Sequence, residues 1–307
     1  MYAHSFMIGD QQRMVDLLVA YRSAGYMNLC LTVWRWRQLL ESRVWDKARD
    51  IQLWEDAQGR LIACALLWKR QPDDTTYTLE RVLSPDLTDD SLLSKILEWA
   101  INRVSAEAAE RQSVCTLAAL PLEKDMDQDI DLLEFAGFSC CIDGYNAYMG
   151  RPLSEPLLSG ELPPRFRLLP LTEDLLEWYQ EAYGFTAVNI EHRRDLLHQP
   201  EYQHFVIKAP AGQLAAYLEF SFCRAEWADN RRHVGWIDYV QTQPDFLRNG
   251  LGQILLARGL EHLRAQGANY AQLITRHDNY AAQALFRSVG MDLVYAEHVY
   301  LKTIPGG

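Results

Sequence analysis

The residues in this chain with the clearest capacity for chemistry lie in the segment 242–256, TQPDFLRNGLGQILL. A strand ends before Pro244, and Gly250-Leu251-Gly252 opens a helix. Glycine there lets backbone amides approach a ligand closely. The helix start adds N–H groups without intrahelical partners and the positive end of the helix dipole, a combination that suits a phosphate. Arg248 adds charge and a two-pronged hydrogen-bond fork. A dinucleotide loop of the form GxGxxG needs a third glycine where Leu255 stands, and the P-loop sequence is absent. A helix merely entered through glycines carries the same residues, so this segment alone leaves both readings open.

Other tempting groups carry less. His192, His198 and His204 have no metal-ligand spacing. Trp34, Trp36, Trp45 and Trp54 read first as core or domain contact and second as substrate lining, and Arg276 and His277, beside Asn279, equally as cleft-facing groups or as loop polarity. The six cysteines form no CxxC pair and are expected to be reduced, mostly buried thiols of a cytoplasmic protein. Adjacent Cys140 and Cys141 are expected to be strand residues facing opposite sides.

These residues need a scaffold, and the pattern of elements supplies one twice. The proline-rich stretch RPLSEPLLSGELPPR, 151–165, reads as a linker between nearly equal halves. The first half opens with a strand near His4–Ile8 and a helix from about Asp10. A hairpin follows, Ile51–Glu55 and Leu61–Trp68 around a DAQG turn. The strand YTLERVL then leads to a helix capped near Thr88, with Leu92, Leu93, Ile96, Leu97, Ala100, Ile101 and Val104 at helical spacing. SVCTLAAL, a helix ending LLEFAGF, and a hairpin around Asp143–Gly144 complete the unit. The second half repeats the order: FRLLPL, helical TEDLLEWYQEAY, a hairpin with an APAG turn, the strand HVGWIDYVQTQP, the glycine-opened helix, AQLITR, a helix in NYAAQALFRSVGM, and closing strand LVYAEHVYLKTI. Both halves are mixed α/β.

Composition sets limits. At 307 residues, with 49% hydrophobic and 23% charged residues, the chain fits two globular domains with real cores. A net charge of −11 argues against nucleic-acid binding, which needs a basic face. The opening MYAHSFMIGDQQRM lacks the basic start and apolar run of a secretory signal, and no stretch is apolar for long enough to span a bilayer.

Two motifs together resemble the GNAT superfamily of acyl-CoA N-acyltransferases. PDFLRNGLG resembles that family's pyrophosphate loop, Q/R-x-x-G-x-G/A. Residues 279–291, NYAAQALFRSVGM, resemble its next motif, N-x-x-A-x-x-L-Y-x-x-x-G-F, with Asn279, Ala282, Leu285 and Gly290 in register. The resemblance implies an α/β fold with a mixed sheet, built as two tandem GNAT-like domains as in members of the mycothiol synthase type. It implies domains at 1–150 and 165–307 joined by a linker at 151–164. The first half ends in LLEFAGF like the second motif, but has no glycine between Gly59 and Gly137, and its turn LSPDLTDDS carries three aspartates. It is expected to be a degenerate copy without a phosphate loop, since those charges repel pyrophosphate.

The activity implied is acetyl-CoA-dependent N-acetylation of a small amine, with no nucleic-acid or membrane partner. A non-catalytic acyl-CoA-binding scaffold and a protein N-terminal or lysine acetyltransferase are the alternatives. By the same resemblance Val240 and Thr242 lie nearest the pantetheine arm, and amides of Arg248, Asn249, Gly250, Leu251 and Gly252 cradle the pyrophosphate. Asn279 touches the arm, and an N–H near Val240 polarises the thioester carbonyl. A protonated amine, with pKa about 10, needs a base; Asp238 is the first candidate and Glu219 the second. Two departures stand out. Leu247 occupies the family's first Q/R position, and Phe286 occupies that of the tyrosine that protonates the leaving thiolate. Tyr239, Tyr280 and Tyr295 are the tyrosines nearby in sequence.

Overall fold

The computed structural model describes residues 1–306 except 25–31, 42–44, 70, 88–90, 122–125, 158–159, 177, 180–193 and 228–230. The chain forms two compact units, Met1–Asn146 with Tyr295–Gly307, and Ala147–Val294. These differ from consecutive halves at both junctions. The last strand of the chain, β12 (Asp292–Ile304), pairs antiparallel with a strand of the first unit. Strand β6 (Ser139–Pro152) carries the chain from the first unit into the second. β6 also replaces the hairpin expected at Asp143–Gly144. A two-residue hairpin turn needs left-handed backbone, and Gly144 is not among the left-handed glycines.

The first unit holds β1 (Tyr2–Ser5), α1 (Gln11–Ser23), α2 (Val33–Glu41), α3 (Lys47–Asp50), β2 (Ile51–Glu55), β3 (Leu61–Trp68), β4 (Thr76–Leu83), α4 (Ser91–Arg111), β5 (Cys115–Ala119) and α5 (Met126–Phe135). Its strands run β1-β2-β3-β4-β5-β12. All neighbours are antiparallel except β4 and β5, which α4 connects. Leu92, Ile96, Ala100, Val104 and Ala108 recur every four residues on the buried face of α4 and pack with Leu79, Leu117 and Ala119. The tryptophans Trp34, Trp36, Trp45 and Trp54 are all buried in this unit. The cap expected at Thr88 lies outside the described residues.

The second unit holds the end of β6, then β7 (Arg167–Pro170), β8 (Tyr202–Lys208), β9 (Leu214–Phe222), β10 (Val234–Thr242), α6 (Leu251–Ala265), β11 (Tyr270–Arg276) and α7 (Tyr280–Ser288). Its order is β6-β11-β10-β9-β8-β7. β10 and β11 are parallel, which a crossover through α6 requires. Of the helix expected over 172–183, the described part is one 3-10 turn at Glu173–Leu175 and helical backbone at Leu176, Trp178 and Tyr179. Leu251, Leu255, Leu256, Leu260 and Leu263 of α6 pack with Leu218, Phe220 and Phe222 of β9 in one core.

Cys64, Cys115 and Cys223 are buried, Cys140 is exposed and Cys141 half-buried, all as free thiols, while Cys30 lies outside the described residues. Among the described residues no helix is long and apolar enough to cross a membrane.

Candidate functional site

The site begins where two strands part. β10 and β11 pair only at Val234↔Tyr270, Gly235↔Ala271 and Trp236↔Gln272. β10 then runs on to Thr242 and β11 to Arg276 without further pairing between them. A strand that leaves its neighbour presents backbone N–H and C=O groups with no ladder partner. The wedge between them is a cleft of about 610 Å³, lined by β10 from Ile237 to Thr242, by the turn and first residues of α6, by Leu273–Thr275, and by α7.

A β-bulge shapes its wall. Ile237 pairs with Phe220 of β9 and Tyr239 with Glu219, which leaves Asp238 as the extra residue. A bulge shifts the alternation of side chains by one. Ile237 therefore faces the α6 core, and beyond the bulge Val240 packs against that same core. Thr242 turns its hydroxyl toward the α6 start, 3.3 Å from where a Cβ on Gly252 would lie. Asp238 and Tyr239 are exposed at the point of change. The bulge brings an acidic side chain to the cleft without interrupting the apolar face of β10.

The turn into α6 is held in an uncommon backbone. Pro244–Phe246 make one 3-10 turn, Leu247 is extended, and then both Arg248 (φ 62°) and Gly250 (φ 73°) are left-handed. For a non-glycine residue this costs roughly 1–2 kcal/mol. Left-handed residues alternating with ordinary ones turn successive N–H groups toward one side, forming an anion-binding concavity. Gly250 faces open space, with nothing within 4 Å of a Cβ built there. Gly252 has a different reason: a Cβ would press on Leu285 and Thr242, each at 3.3 Å. It lets α7 and the end of β10 close on the first turn of α6. Arg248 has no ion-pair partner among the described residues, and the Asn249 side-chain amide donates to Phe246 O at 3.3 Å. Leu247, at the position of the missing polar contact, is 56% exposed and lines the cleft.

The second motif is legible as the start and stop of α7. Asn279 Oδ1 accepts from Ala282 N at 3.2 Å, an N-cap. At the other end Met291 N donates to Phe286 O at 3.1 Å and Gly290 N to Arg287 O at 2.9 Å, with Gly290 at φ 80°. That is a Schellman closure, which needs glycine at the left-handed position. Between them Ala282, Leu285 and Phe286 point at the cleft and the core. Phe286 is buried and brings no acidic proton.

The two carboxylate candidates differ sharply in setting. Asp238 is exposed at the bulge and lines the cleft. Glu219 is buried on the neighbouring strand and accepts from Tyr202 Oη at 2.6 Å, Tyr179 Oη at 3.2 Å and Tyr217 Oη. Of the nearby tyrosines, Tyr239 lines the cleft, Tyr280 is 75% exposed, and Tyr295 belongs to the first unit. Arg276 is paired with Asp278 at the surface. His198 meets Glu173 at 3.3 Å, His204 is buried against Tyr217, and His192 lies outside the described residues. Reading by motif missed Ile237, Gln241, Gln253, Leu273 and Thr275, which also line the cleft. Their positions follow from strand divergence, which no local residue pattern announces.

Residues 170–291 match the acetyltransferase (GNAT) family. A mycothiol acetyltransferase of Thermobifida fusca is 37% identical over 67 residues, 22% of this chain and 21% of that protein. The one of Thermobispora bispora is 29% identical over 157 residues, 46% of this chain and 52% of its own length. The matched regions thus span from about a fifth to about half of these relatives. In fold the whole chain is similar to a tandem GNAT protein from the clavulanic acid biosynthesis pathway, with a TM-score of 0.71 at 14% identity, covering 100% of this chain and 98% of that one.

Proposed function

We propose that the protein is an acetyl-CoA-dependent N-acetyltransferase acting on a small amine by direct attack on the thioester. The observation that carries this reading is the convergence, in one cleft, of a strand that has parted from its parallel neighbour, a left-handed loop opening α6, and the exposed Asp238. The residues fit an acyl-CoA. Arg248 and the amides of Arg248–Gly252 suit its pyrophosphate. The free edge of β10 around Val240 and Thr242 suits the amides of the pantetheine arm, as in strand addition. The Asn279 amide stands at the cleft wall, and Phe286 forms an apolar part of it.

The chemistry balances without a covalent enzyme intermediate. The amine nitrogen attacks the thioester carbonyl carbon, a C–N bond forms, and the C–S bond breaks. Coenzyme A leaves as thiolate, and the proton lost by the amine passes to Asp238, directly or through water. A backbone N–H of β10 near Val240 stabilises the carbonyl oxygen as it becomes negative. The thiolate leaves without a tyrosine acid; a thiol of pKa about 8.5 is a tolerable leaving group near neutral pH. The first unit, in this reading, is a structural copy without a phosphate loop.

The buried phenylalanine at 286 supports a second reading, an acyl-CoA-binding protein without turnover. Thiol release from acetyl-CoA with a panel of primary amines separates the two. The panel includes a mycothiol-type acceptor, because of the relatives' names, and basic peptides for protein acetylation. Acceptor-dependent thiol release is expected with a small amine. Binding without release under any acceptor contradicts catalysis, and release only with peptides moves the assignment to protein acetylation.

A further inference from the structure

Behind the cleft wall lies a polar cluster that the acetyl-transfer reading does not use. Every residue of β9 is buried, and the strand's two faces are chemically opposite. Leu218, Phe220 and Phe222 enter the α6 core. Tyr217 and Glu219 point the other way, toward Tyr179, Tyr202 and His204, all of them buried. Burying a carboxylate is costly unless its oxygens are fully paired.

The proton positions in this cluster can be counted. Tyr217 has one phenolic proton and gives it to Glu219 Oε1. Its oxygen then accepts from His204 Nδ1, 2.9 Å away, which fixes the imidazole proton on Nδ1. Tyr202 and Tyr179 give their protons to the same carboxylate. The chain runs His204 to Tyr217 to Glu219, and three hydroxyls aim at an acceptor. A base waiting for a substrate proton needs a lone pair facing the cleft; here three of the carboxylate's lone pairs are met by phenols and the group is buried.

The cluster nevertheless touches the cleft through its neighbours. Tyr239, the first residue after the bulge, sits directly across from Glu219, and Gln241 across from Tyr217. The Tyr239 and Tyr217 rings lie 6.0 Å apart, and Tyr239 Oη donates to Gln241 Oε1. Tyr239 and Gln241 line the cleft on either side of Val240, next to Asp238.

We propose that Glu219 is a positioning residue: through Tyr217 and Tyr239 it fixes the register of β10 beyond the bulge, and so the placement of Asp238. This rests on the acetyltransferase reading for its kinetic consequence but not for its structural one. Replacing the carboxylate by an amide leaves one oxygen to accept where two met three phenols, which loosens Tyr217 and, through it, the Tyr239 ring packed beside it on β10.

The test uses the full chain with Glu219→Gln and Tyr217→Phe, the second removing one hydroxyl and serving where the first does not fold. Acetyl-CoA affinity by calorimetry is expected to stay within about twofold, while kcat with the amine falls about ten- to a hundredfold, as for a catalytic group misplaced by a fraction of an ångström to one ångström. The acidic limb of the kcat/KM profile is expected to persist in both variants and to vanish in Asp238→Asn. Amide hydrogen exchange over 237–241 is expected to quicken at least about tenfold, with 251–265 unchanged. A lost acidic limb in Glu219→Gln, with the limb retained in Asp238→Asn, makes Glu219 the base and overturns the proposal. Unchanged exchange over 237–241 in both variants also overturns it. Should the wild type release no thiol with any amine, the acetyltransferase reading fails, and the exchange measurement alone decides the positioning role.

Discussion

Each unit contains a parallel strand pair joined through a long helix, β4–α4–β5 and β10–α6–β11, and the two pairs end differently. In the first unit the ladder runs from Thr76↔Thr116 to Leu79↔Ala119. The next residue, Glu80, is buried, close enough to Glu297 of β12 to feel its charge, and takes a hydrogen bond from Trp68 Nε1 at 3.3 Å. The described part of the turn that follows carries exposed Asp86 and no left-handed residue. In the second unit the ladder stops at Trp236↔Gln272, the acidic residue is pushed out to the cleft by a bulge, and the turn passes through left-handed Arg248 and Gly250. Topology supplies a parallel pair with a crossover helix in both; the strands run on past their ladder and part only in the second. The bulge and the backbone of one turn separate an exposed acidic side chain at a cleft from a buried one.

The largest test of this contrast is kinetic. Asp238→Asn is expected to lower turnover about 10²- to 10⁴-fold, the usual contribution of a positioned base, while Glu80→Gln leaves turnover unchanged. Comparable losses from both substitutions, measured as thiol release, would break the contrast.

Stability against pH sharpens it from the other side. Burial and the neighbouring Glu297 push the Glu80 carboxyl from 4.5 up to about 8. Between those values the folded protein holds a proton that the unfolded chain has lost. Stability from Glu80 is therefore fully present below about pH 4.5 and is lost as pH rises through about 8, a change on the order of 5 kcal/mol. Urea unfolding at pH values below and above that window should show this decline in the wild type and its removal in Glu80→Gln. An equal decline in both proteins contradicts the assignment.

The loop offers a smaller, cleaner comparison. Gly250 and Gly59 are both left-handed, at φ 73° and 76°, and both face open space. Valine at either position should cost roughly 1–2 kcal/mol of stability. Only Gly250→Val should also weaken acetyl-CoA binding, by about tenfold (about 1.4 kcal/mol). Equal affinity in the two variants would remove the loop from the site. The least effect is expected of Arg248→Gly. It relieves the left-handed cost while losing an exposed charge, so stability rises slightly and acetyl-CoA affinity falls about fivefold or less.

How far the sequence announced this contrast depends on the range of the signal. The helix opened by Gly250-Leu251-Gly252 forms where the sequence placed it, while the cap by Asn279 and the stop at Gly290 are local rules of helix entry and exit that the motif's register did not spell out. The helical face of α4 follows from spacing in the same way. The bulge at Asp238 is a count of residues between two strands and leaves no mark in either one. Arg248 in a left-handed turn has no residue preference to betray it, since glycine is the usual occupant. Asp143–Gly144 shows the opposite failure: a strong turn signal is overruled inside the 14-residue strand β6. The tyrosines around Glu219 come from three separated segments and meet only through packing.

The central claim is that the cleft beside β10 in the second unit, and no site in the first, holds acetyl-CoA. Isothermal titration of the intact chain with acetyl-CoA tests it most directly. The account predicts one site per chain, lost or weakened in Gly250→Val and unaffected in Gly59→Val. Two sites per chain, no binding, or a single site indifferent to Gly250 would contradict it.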